Sequence, residues 1–138
     1  MSDYRRRLAV VLTVPLLAAG CGGAGGGDQQ SSPEAVVAAV YNHIAAGEFE
    51  QVCALVLPDR RGAFAAAGTD CQTYVARNYD QQKRTAFRDV RVDTGKIRRD
   101  GDTAVVPEGA VTFGGRPSND SDTPTVRKDG KWWITAGR

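Results

Sequence analysis

Between residues 33 and 79 the apolar side chains recur every three or four positions, the spacing that lines one face of an α-helix. The pattern predicts three helices, which run over residues 33–47, 48–57 and about 71–79. The first helix has the clearest start, because two serines offer capping hydroxyls and a proline occupies its first turn. Its apolar stripe consists of Val36, Val37, Val40, Tyr41 and Ile44. The alanine-rich residues 60–68 fit either a loop or a loose helical turn.

From residue 87 onward the period changes to two, which is typical of half-buried strands. Val90 and Val92 alternate with charged residues and predict a first strand. Asp-Gly dipeptides at 100–101 and 129–130 indicate tight hairpin turns. Further strands are predicted over 103–113, with a bend at Pro107 and Gly109, over 123–127 and over 131–135. Helices followed by consecutive antiparallel strands indicate an α+β domain with its helices packed on one face of a sheet.

The N-terminal 20 residues have the layout of an export signal. Three consecutive arginines at 5–7 are followed by twelve uncharged residues, 8–19. Twelve helical residues span about 18 Å, which is well short of a hydrocarbon core of about 30 Å. The segment is therefore interpreted as a signal peptide rather than a permanent membrane span, and it leaves the Sec and twin-arginine export routes open.

The end of this signal, Leu17-Ala18-Ala19-Gly20-Cys21, resembles the lipobox of bacterial lipoproteins. The resemblance implies that Cys21 receives a diacylglyceryl group and becomes the mature N-terminus. The protein would then be anchored in the cell membrane, facing the extracytoplasmic side, with residues 1–20 removed. Residues 21–32 would form the lipidated cysteine and a flexible glycine-rich tether to a domain over 33–138. The alternative is an ordinary secreted protein in which Cys21 is incidental.

The cysteine count bears on the same question, because three cysteines in an exported chain leave one unpaired. If Cys21 carries lipid, Cys53 and Cys71 remain, and such a pair tends to oxidise outside the cytoplasm. A disulfide between them would join the second predicted helix to the third. The alternative is two unpaired buried thiols.

The charge of the domain argues against nucleic acid as a partner. Three of the 18 basic residues and one of the 16 acidic residues lie in the signal peptide, so 15 of each remain and the net charge is zero. Nucleic-acid binding depends on clustered lysine and arginine. The short pairs at 60–61 and 98–99 lie near acidic residues and are interpreted as solvated surface.

The order of elements resembles the nuclear transport factor 2-like superfamily, whose members have a cone-shaped α+β domain. Similar features are Ala39-Val40-Tyr41 on the first helix, the Gly47-Glu48-Phe49 step, Cys53, and residues 126–132 near the end. The resemblance covers roughly residues 33–136. It implies three N-terminal helices packed on a curved antiparallel sheet of about four strands, and members with this fold often dimerise through the sheet.

Candidate chemistry is sparse. His43 is the only histidine, and it is either a half-exposed helix residue or a general base or pH sensor. Enzymes of the superfamily use an aspartate with tyrosine or histidine, and the residues that could supply such groups are Asp80, Asp89, Tyr41, Tyr74 and Tyr79. The aspartates lie among polar neighbours, however, so no catalytic residue is assigned. Carboxylates at 100–102 and 119–122 are explained by turn chemistry, and neither a metal site nor a cofactor is predicted.

Trp132 and Trp133 are adjacent on a predicted strand, so their side chains point to opposite faces of the sheet. One is expected in the core, and the other is a candidate recognition residue. The sequence therefore predicts a non-catalytic binding or scaffolding domain at the cell envelope, with a protein of the envelope or a second copy as partner. The alternative is a small-molecule binder of a small apolar ligand, or an isomerase- or cyclase-like enzyme, that uses the concave face of the sheet.

Overall fold

The structure is a computed structural model, and it describes residues 28–135. The predicted signal peptide, the lipid site Cys21 and the predicted tether as far as residue 27 lie outside the described residues. Within the described part the chain is α+β, as predicted. Its helices are α1 Pro33–Ala46, α2 Phe49–Ala54, α3 Pro58–Ala66, α4 Cys71–Asn78 and α5 Gln81–Thr85. Its strands are β1 Val90–Val92, β2 Arg98–Asp100, β3 Thr103–Val106, β4 Val111–Phe113, β5 Arg116–Pro117, β6 Thr123–Lys128 and β7 Lys131–Ile134.

Helix α1 begins and ends at the predicted signals. The hydroxyl of Ser32 accepts a hydrogen bond from the backbone N–H of Ala35 at 3.1 Å. Gly47 follows the helix at φ 75°, a left-handed conformation that glycine adopts without a side-chain clash. Between these ends, α1 buries most of its predicted stripe, and Val40 is the member that stays partly exposed.

Five α-helices precede the first strand of the described chain, so the prediction of three was wrong. Helix α3 forms in the ambiguous alanine-rich segment. Its Arg61 side chain donates hydrogen bonds to the carbonyl oxygens of Val56 and Ala54, both at 3.1 Å, and Phe64 is its buried residue. Helix α5 starts where the Asp80 carboxylate accepts a hydrogen bond from the Lys83 N–H at 2.9 Å. Both helices are short, and neither has a continuous apolar stripe.

The strands form two antiparallel sheets instead of the predicted single sheet of about four. One sheet has the order β1-β4-β5 and the other has the order β2-β3-β6-β7. The predicted strand 103–113 divides at Pro107, which cannot donate to a ladder, and the 3-10 helix Glu108–Ala110 follows it. This turn sends β3 into the larger sheet, where it pairs with β6, and sends β4 into the smaller one, where it pairs with β1.

The core lies where α1 packs against both sheets and α2. Its most deeply buried members on α1 and β3 are Val36, Val37, Ile44 and Val106, each at most 2% exposed. The remaining core residues come from α1 itself, from α2 and the residue after it, and from α4, the strands and the turn after β3. They include Val52, Val75, Ala110, Val111 and Trp132.

Ordered structure begins before Pro33, the predicted start of the domain. Residues Asp28–Gln30 form a 3-10 helix, and Gln30 is buried. Its side-chain nitrogen donates a hydrogen bond to the carbonyl oxygen of Trp132 at 3.0 Å. Residues 28–30, which were predicted as part of the tether, are therefore packed against β7, because a side-chain amide can be buried when a backbone carbonyl accepts from it.

The predicted disulfide between Cys53 and Cys71 is confirmed. It joins α2 to the first residue of α4, with the two Cα atoms 6.0 Å apart and a sequence separation of 18. Cys53 is buried, whereas Cys71 is partly exposed. The bond therefore attaches α4, which buries little apolar surface of its own, to the core.

Candidate functional site

A pocket of about 160 Å³ opens between α1, the loop that precedes β6, and the end of β7. Its apolar lining residues come mainly from α1, with one each from β6 and β7. Its polar lining residues come mainly from the loop before β6, with others from α1, Tyr79, β6 and the residue after β7. The apolar lining residues are Val37, Val40, Ile44, Pro124 and Ile134, and the polar ones are Tyr41, Tyr79, Asp120, Ser121, Asp122, Thr123 and Thr135.

Two tyrosines and an aspartate meet in this pocket. The Tyr41 hydroxyl donates to Asp120 Oδ2 at 3.1 Å, and the Tyr79 hydroxyl approaches the same oxygen at 3.4 Å. The other carboxylate oxygen, Oδ1, accepts a hydrogen bond from the N–H of Ser121 at 3.0 Å. A hydrogen bond from the Asp120 N–H to the Ser118 hydroxyl, at 3.0 Å, fixes the backbone of the loop. Three separate parts of the chain therefore hold one carboxylate in place.

Aromatic packing holds the two tyrosine rings. Tyr41 contacts both Phe87 and Phe113, with ring centroids 5.2 Å and 4.9 Å away, and the two phenylalanine rings contact each other at 4.9 Å. Tyr79 meets Phe87 edge-on at 5.5 Å. Tilted and edge-on arrangements of this kind are the favoured geometries of aromatic pairs. The rings are thus fixed by the core, and the hydroxyl groups have little freedom to move away from Asp120.

The surroundings keep both phenols protonated. Burial, followed by the negative charge of Asp120, raises the pKa of Tyr41 far above its usual value. The same two causes, in the same order, raise the pKa of Tyr79 to about 12. Both hydroxyls are therefore hydrogen-bond donors to Asp120 at neutral pH.

This pKa shift predicts a loss of stability in alkali. A group whose pKa is higher in the folded than in the unfolded state stabilises the fold while it is protonated. This stabilisation is fully present below the unfolded-state pKa, near 10, and it is lost as the pH rises through the folded-state pKa. For Tyr79 that window is pH 10 to 12, and we expect a loss of about 1–2 kcal/mol after allowing for its partial exposure. Urea denaturation at pH 8 to 12 should show a shallower decline for Tyr79→Phe than for the unmodified protein. Identical pH dependence in the two proteins would contradict this assignment.

The pocket carries negative charge that is only partly compensated. Asp122 accepts from the Arg98 guanidinium at 2.8 Å and from the N–H of Glu108 at 3.1 Å. Asp120 has no lysine, arginine or histidine nitrogen within 4.0 Å among residues 28–135. The residues that line the pocket include no basic side chain. Asp120 is therefore stabilised by hydrogen bonds alone.

His43 lies outside this pocket. Its Nδ1 is 2.6 Å from the Glu48 carboxylate, and its Nε2 is 3.2 Å from the side-chain oxygen of Gln29. These contacts connect the end of α1 to the residue before α2 and to the N-terminal 3-10 helix. His43 therefore links these segments of the chain and does not lie near Tyr41 Oη or Tyr79 Oη.

Five residues were considered from the sequence because they could supply the aspartate and tyrosine groups that enzymes of the superfamily use. The structure brings two of them, Tyr41 and Tyr79, together and places the other three elsewhere. Asp80 caps α5, Asp89 lies in a tight turn at φ 51°, and the 43%-exposed Tyr74 packs on Phe64. The carboxylate that joins the tyrosines, Asp120, was interpreted from the sequence as turn chemistry. Its loop is polar and its role depends on contacts 41 and 79 residues away, so local sequence carried no signal for it.

The two tryptophans lie on opposite faces of β7, as predicted. Trp132 is buried in the core, whereas Trp133 is partly exposed and donates its indole N–H to the Lys128 carbonyl oxygen at 3.3 Å. Trp133 faces away from α1, beside its cross-strand partner Val126. Of the two recognition candidates, Trp133 is therefore the one accessible to a partner.

Comparison with protein-family models, with curated proteins and with solved structures found no match to this chain. The resemblances to lipoproteins and to the nuclear transport factor 2-like superfamily therefore stay predictions. Among the described residues, no helix is long and apolar enough to cross a membrane. In that same part of the chain, no three acidic, histidine or cysteine side chains are grouped as metal ligands.

Proposed function

We propose that this chain is a lipid-anchored binding protein of the bacterial cell envelope, and that it holds a small ligand in the pocket at Asp120. The observation that carries the proposal is the convergence of Tyr41, Tyr79 and Asp120 in a cavity that five apolar residues also line. A concave apolar surface with a few fixed polar groups is the usual form of a ligand site. At about 160 Å³ the cavity is smaller than the roughly 300–1,000 Å³ that drug-sized ligands occupy, so the ligand has few carbon atoms.

The protonation of the two phenols favours a role in binding over a role in catalysis for both of them. A general base must lose and regain a proton near the working pH. The two phenols hold their protons to pH values far above neutrality, since burial and Asp120 raise the pKa of each. They suit the positioning of a ligand better than the removal of a proton from it.

The proposed membrane anchor is supported by Cys21 and by the lipobox-like residues before it. The Cys53–Cys71 disulfide supports an extracytoplasmic position, because structural disulfides persist mainly in oxidising compartments. It also accounts for two of the three cysteines and leaves Cys21 for lipid.

The nuclear transport factor 2-like fold is likewise proposed for residues 33–136. It is supported by the order of helices before antiparallel strands and by the packing of α1 against both sheets. In this proposal the larger sheet supplies the curved sheet of about four strands, and the pocket lies at its concave, α1-facing side.

Native mass spectrometry of the full chain, extracted from bacterial membranes in a mild detergent, tests the binding proposal. We expect a stoichiometric extra mass of a small molecule on the protein, beyond that of the lipid. Val40→Phe, which fills the pocket, should lose this mass, whereas Val126→Phe on the outer face of the larger sheet should keep it. A protein without extra mass, or retention by Val40→Phe, would contradict ligand binding at this site.

A scaffolding function is the second candidate, and the accessible Trp133 favours it. Cross-strand pairs on the outer face of the larger sheet place Val126 beside Trp133 and Val105 beside Pro124. An apolar patch on an uncovered face is typical of interaction surfaces. In the same experiment, a dimer mass without a small molecule, abolished by Trp133→Ser, would favour this second function.

A further inference from the structure

We infer that the ligand of the Asp120 pocket is a small organic ammonium ion, which combines one charged nitrogen with a short alkyl group. The inference rests on the proposed binding function and adds the chemical class of the ligand. It is carried by the charge of the pocket, by the hydrogen-bond acceptors among its polar lining residues and by its apolar lining residues.

The charge of the lining selects against anions. Both ionised side chains that line the pocket, Asp120 and Asp122, are carboxylates. Arg98 compensates Asp122 from outside the lining, and Asp120 has no cationic partner among the described residues. A bound cation would supply that partner, whereas a bound anion would lie beside an uncompensated carboxylate and be repelled.

The hydrogen-bonding groups match the donors of an ammonium group. Each phenol gives its single proton to Asp120 Oδ2, so the lone pairs of the Tyr79 oxygen remain as acceptors, whereas the Tyr41 oxygen also accepts from the Thr123 side chain. Asp120 Oδ1 accepts one hydrogen bond, from Ser121, and has capacity for another. The Asp120 carboxylate and the Tyr79 oxygen thus offer acceptors to a ligand in the pocket, and a primary ammonium group has three donors and no acceptor.

The apolar part of the lining accommodates an alkyl group. It consists of Val37, Val40 and Ile44 on α1, together with Pro124 and Ile134. These surfaces offer no polar side-chain group, so they favour a hydrocarbon over a second polar substituent. The small volume restricts that hydrocarbon to a short chain.

The test is an NMR titration of the isotope-labelled full chain, in detergent, with three probes of similar shape. The probes are n-butylammonium, n-butanol and butyrate at pH 7. We expect n-butylammonium to bind at least tenfold more tightly than n-butanol, with butyrate weakest, and to shift the amide signals of residues 120 to 123. Binding should weaken as salt is added, because the interaction with Asp120 is electrostatic.

Two substitutions separate the charge of Asp120 from the rest of the pocket. Asp120→Asn should lower the affinity for n-butylammonium by tenfold or more and leave n-butanol binding nearly unchanged. Asp100→Asn, at an exposed hairpin turn, alters the net charge equally and should leave all three affinities as they were. Because Asp120→Asn removes an anchor of its loop, Tyr79→Phe provides a second test, and it should weaken n-butylammonium alone.

The outcomes distinguish the inference from the function on which it rests. Equal binding of n-butylammonium and n-butanol, or equal n-butylammonium binding by Asp120→Asn and the unmodified protein, would overturn the ammonium assignment and leave ligand binding intact. If no probe binds and native mass spectrometry finds no small molecule, the proposed binding function falls with it. Stronger binding of butyrate would overturn the charge argument directly.

Discussion

Replacing Cys53 and Cys71 together by alanine is expected to lower the free energy of unfolding by about 3 kcal/mol. The disulfide closes a loop of 18 residues, and a loop of that size restricts the unfolded chain by about this amount. The effect is large because domains of this size are stable by only about 5–15 kcal/mol. Helix α4 contributes one buried residue, Val75, so it has little to hold it against the core without the bond.

Urea denaturation followed by circular dichroism measures this loss. The unmodified protein in the presence of a strong reductant serves as the control, and its unfolding midpoint should fall to nearly that of the double variant. If the reductant leaves the midpoint of the unmodified protein unchanged, the disulfide does not stabilise the domain.

Ile44→Ala is expected to cost about 4 kcal/mol, within the range of about 2–5 kcal/mol for a fully buried leucine, isoleucine or methionine. Ile44 is 2% exposed and is the largest of the side chains that are almost completely buried. Its removal takes away buried apolar area and leaves a gap next to the ligand pocket, which Ile44 also lines. Both the lost transfer free energy and the added cavity destabilise the fold.

Val40→Ala is the matched comparison for this second prediction. Val40 lies one turn earlier on α1, lines the same pocket and is partly exposed, so its truncation should cost less than about 2 kcal/mol. Denaturant unfolding of both variants measures the difference. Equal losses for the two would show that α1 does not bury Ile44 more deeply than Val40.

Local chemistry in the sequence was enough to predict α1. A serine cap, a proline in the first turn and a glycine after the last turn act within a few residues. The disulfide was also predictable, because the expectation that Cys21 carries lipid left Cys53 and Cys71 as a pair. These features need no knowledge of which distant segments meet.

Features that depend on distant contacts were missed. Helices α3 and α5 lack a repeating apolar stripe and rely on single contacts such as those of Arg61. The assignment of β3 and β4 to different sheets follows from the partners that each finds, β6 for one and β1 for the other. The sequence of a strand shows that its polar and apolar residues alternate, but it does not show with which other strand it pairs.

The candidate site could not be predicted for the same reason, because its residues are distant in sequence. Tyr41 was assigned to a helix stripe and Tyr79 to the end of a helix, and each is compatible with an ordinary core position. Asp120 lies in a loop whose residues favour turns for local reasons. What makes the three a site is that one carboxylate oxygen accepts from both phenols, and only the folded chain reveals this.

The hydrogen bond from Gln30 to Trp132 indicates that the domain can be circularly permuted. It joins the first described segment to the last strand, so the two ends of residues 28–135 lie side by side. Neighbouring ends are what permit a chain to be circularly permuted. A short linker from residue 135 to residue 28, with new termini opened at the exposed turn of residues 101–102, would leave every strand pair intact.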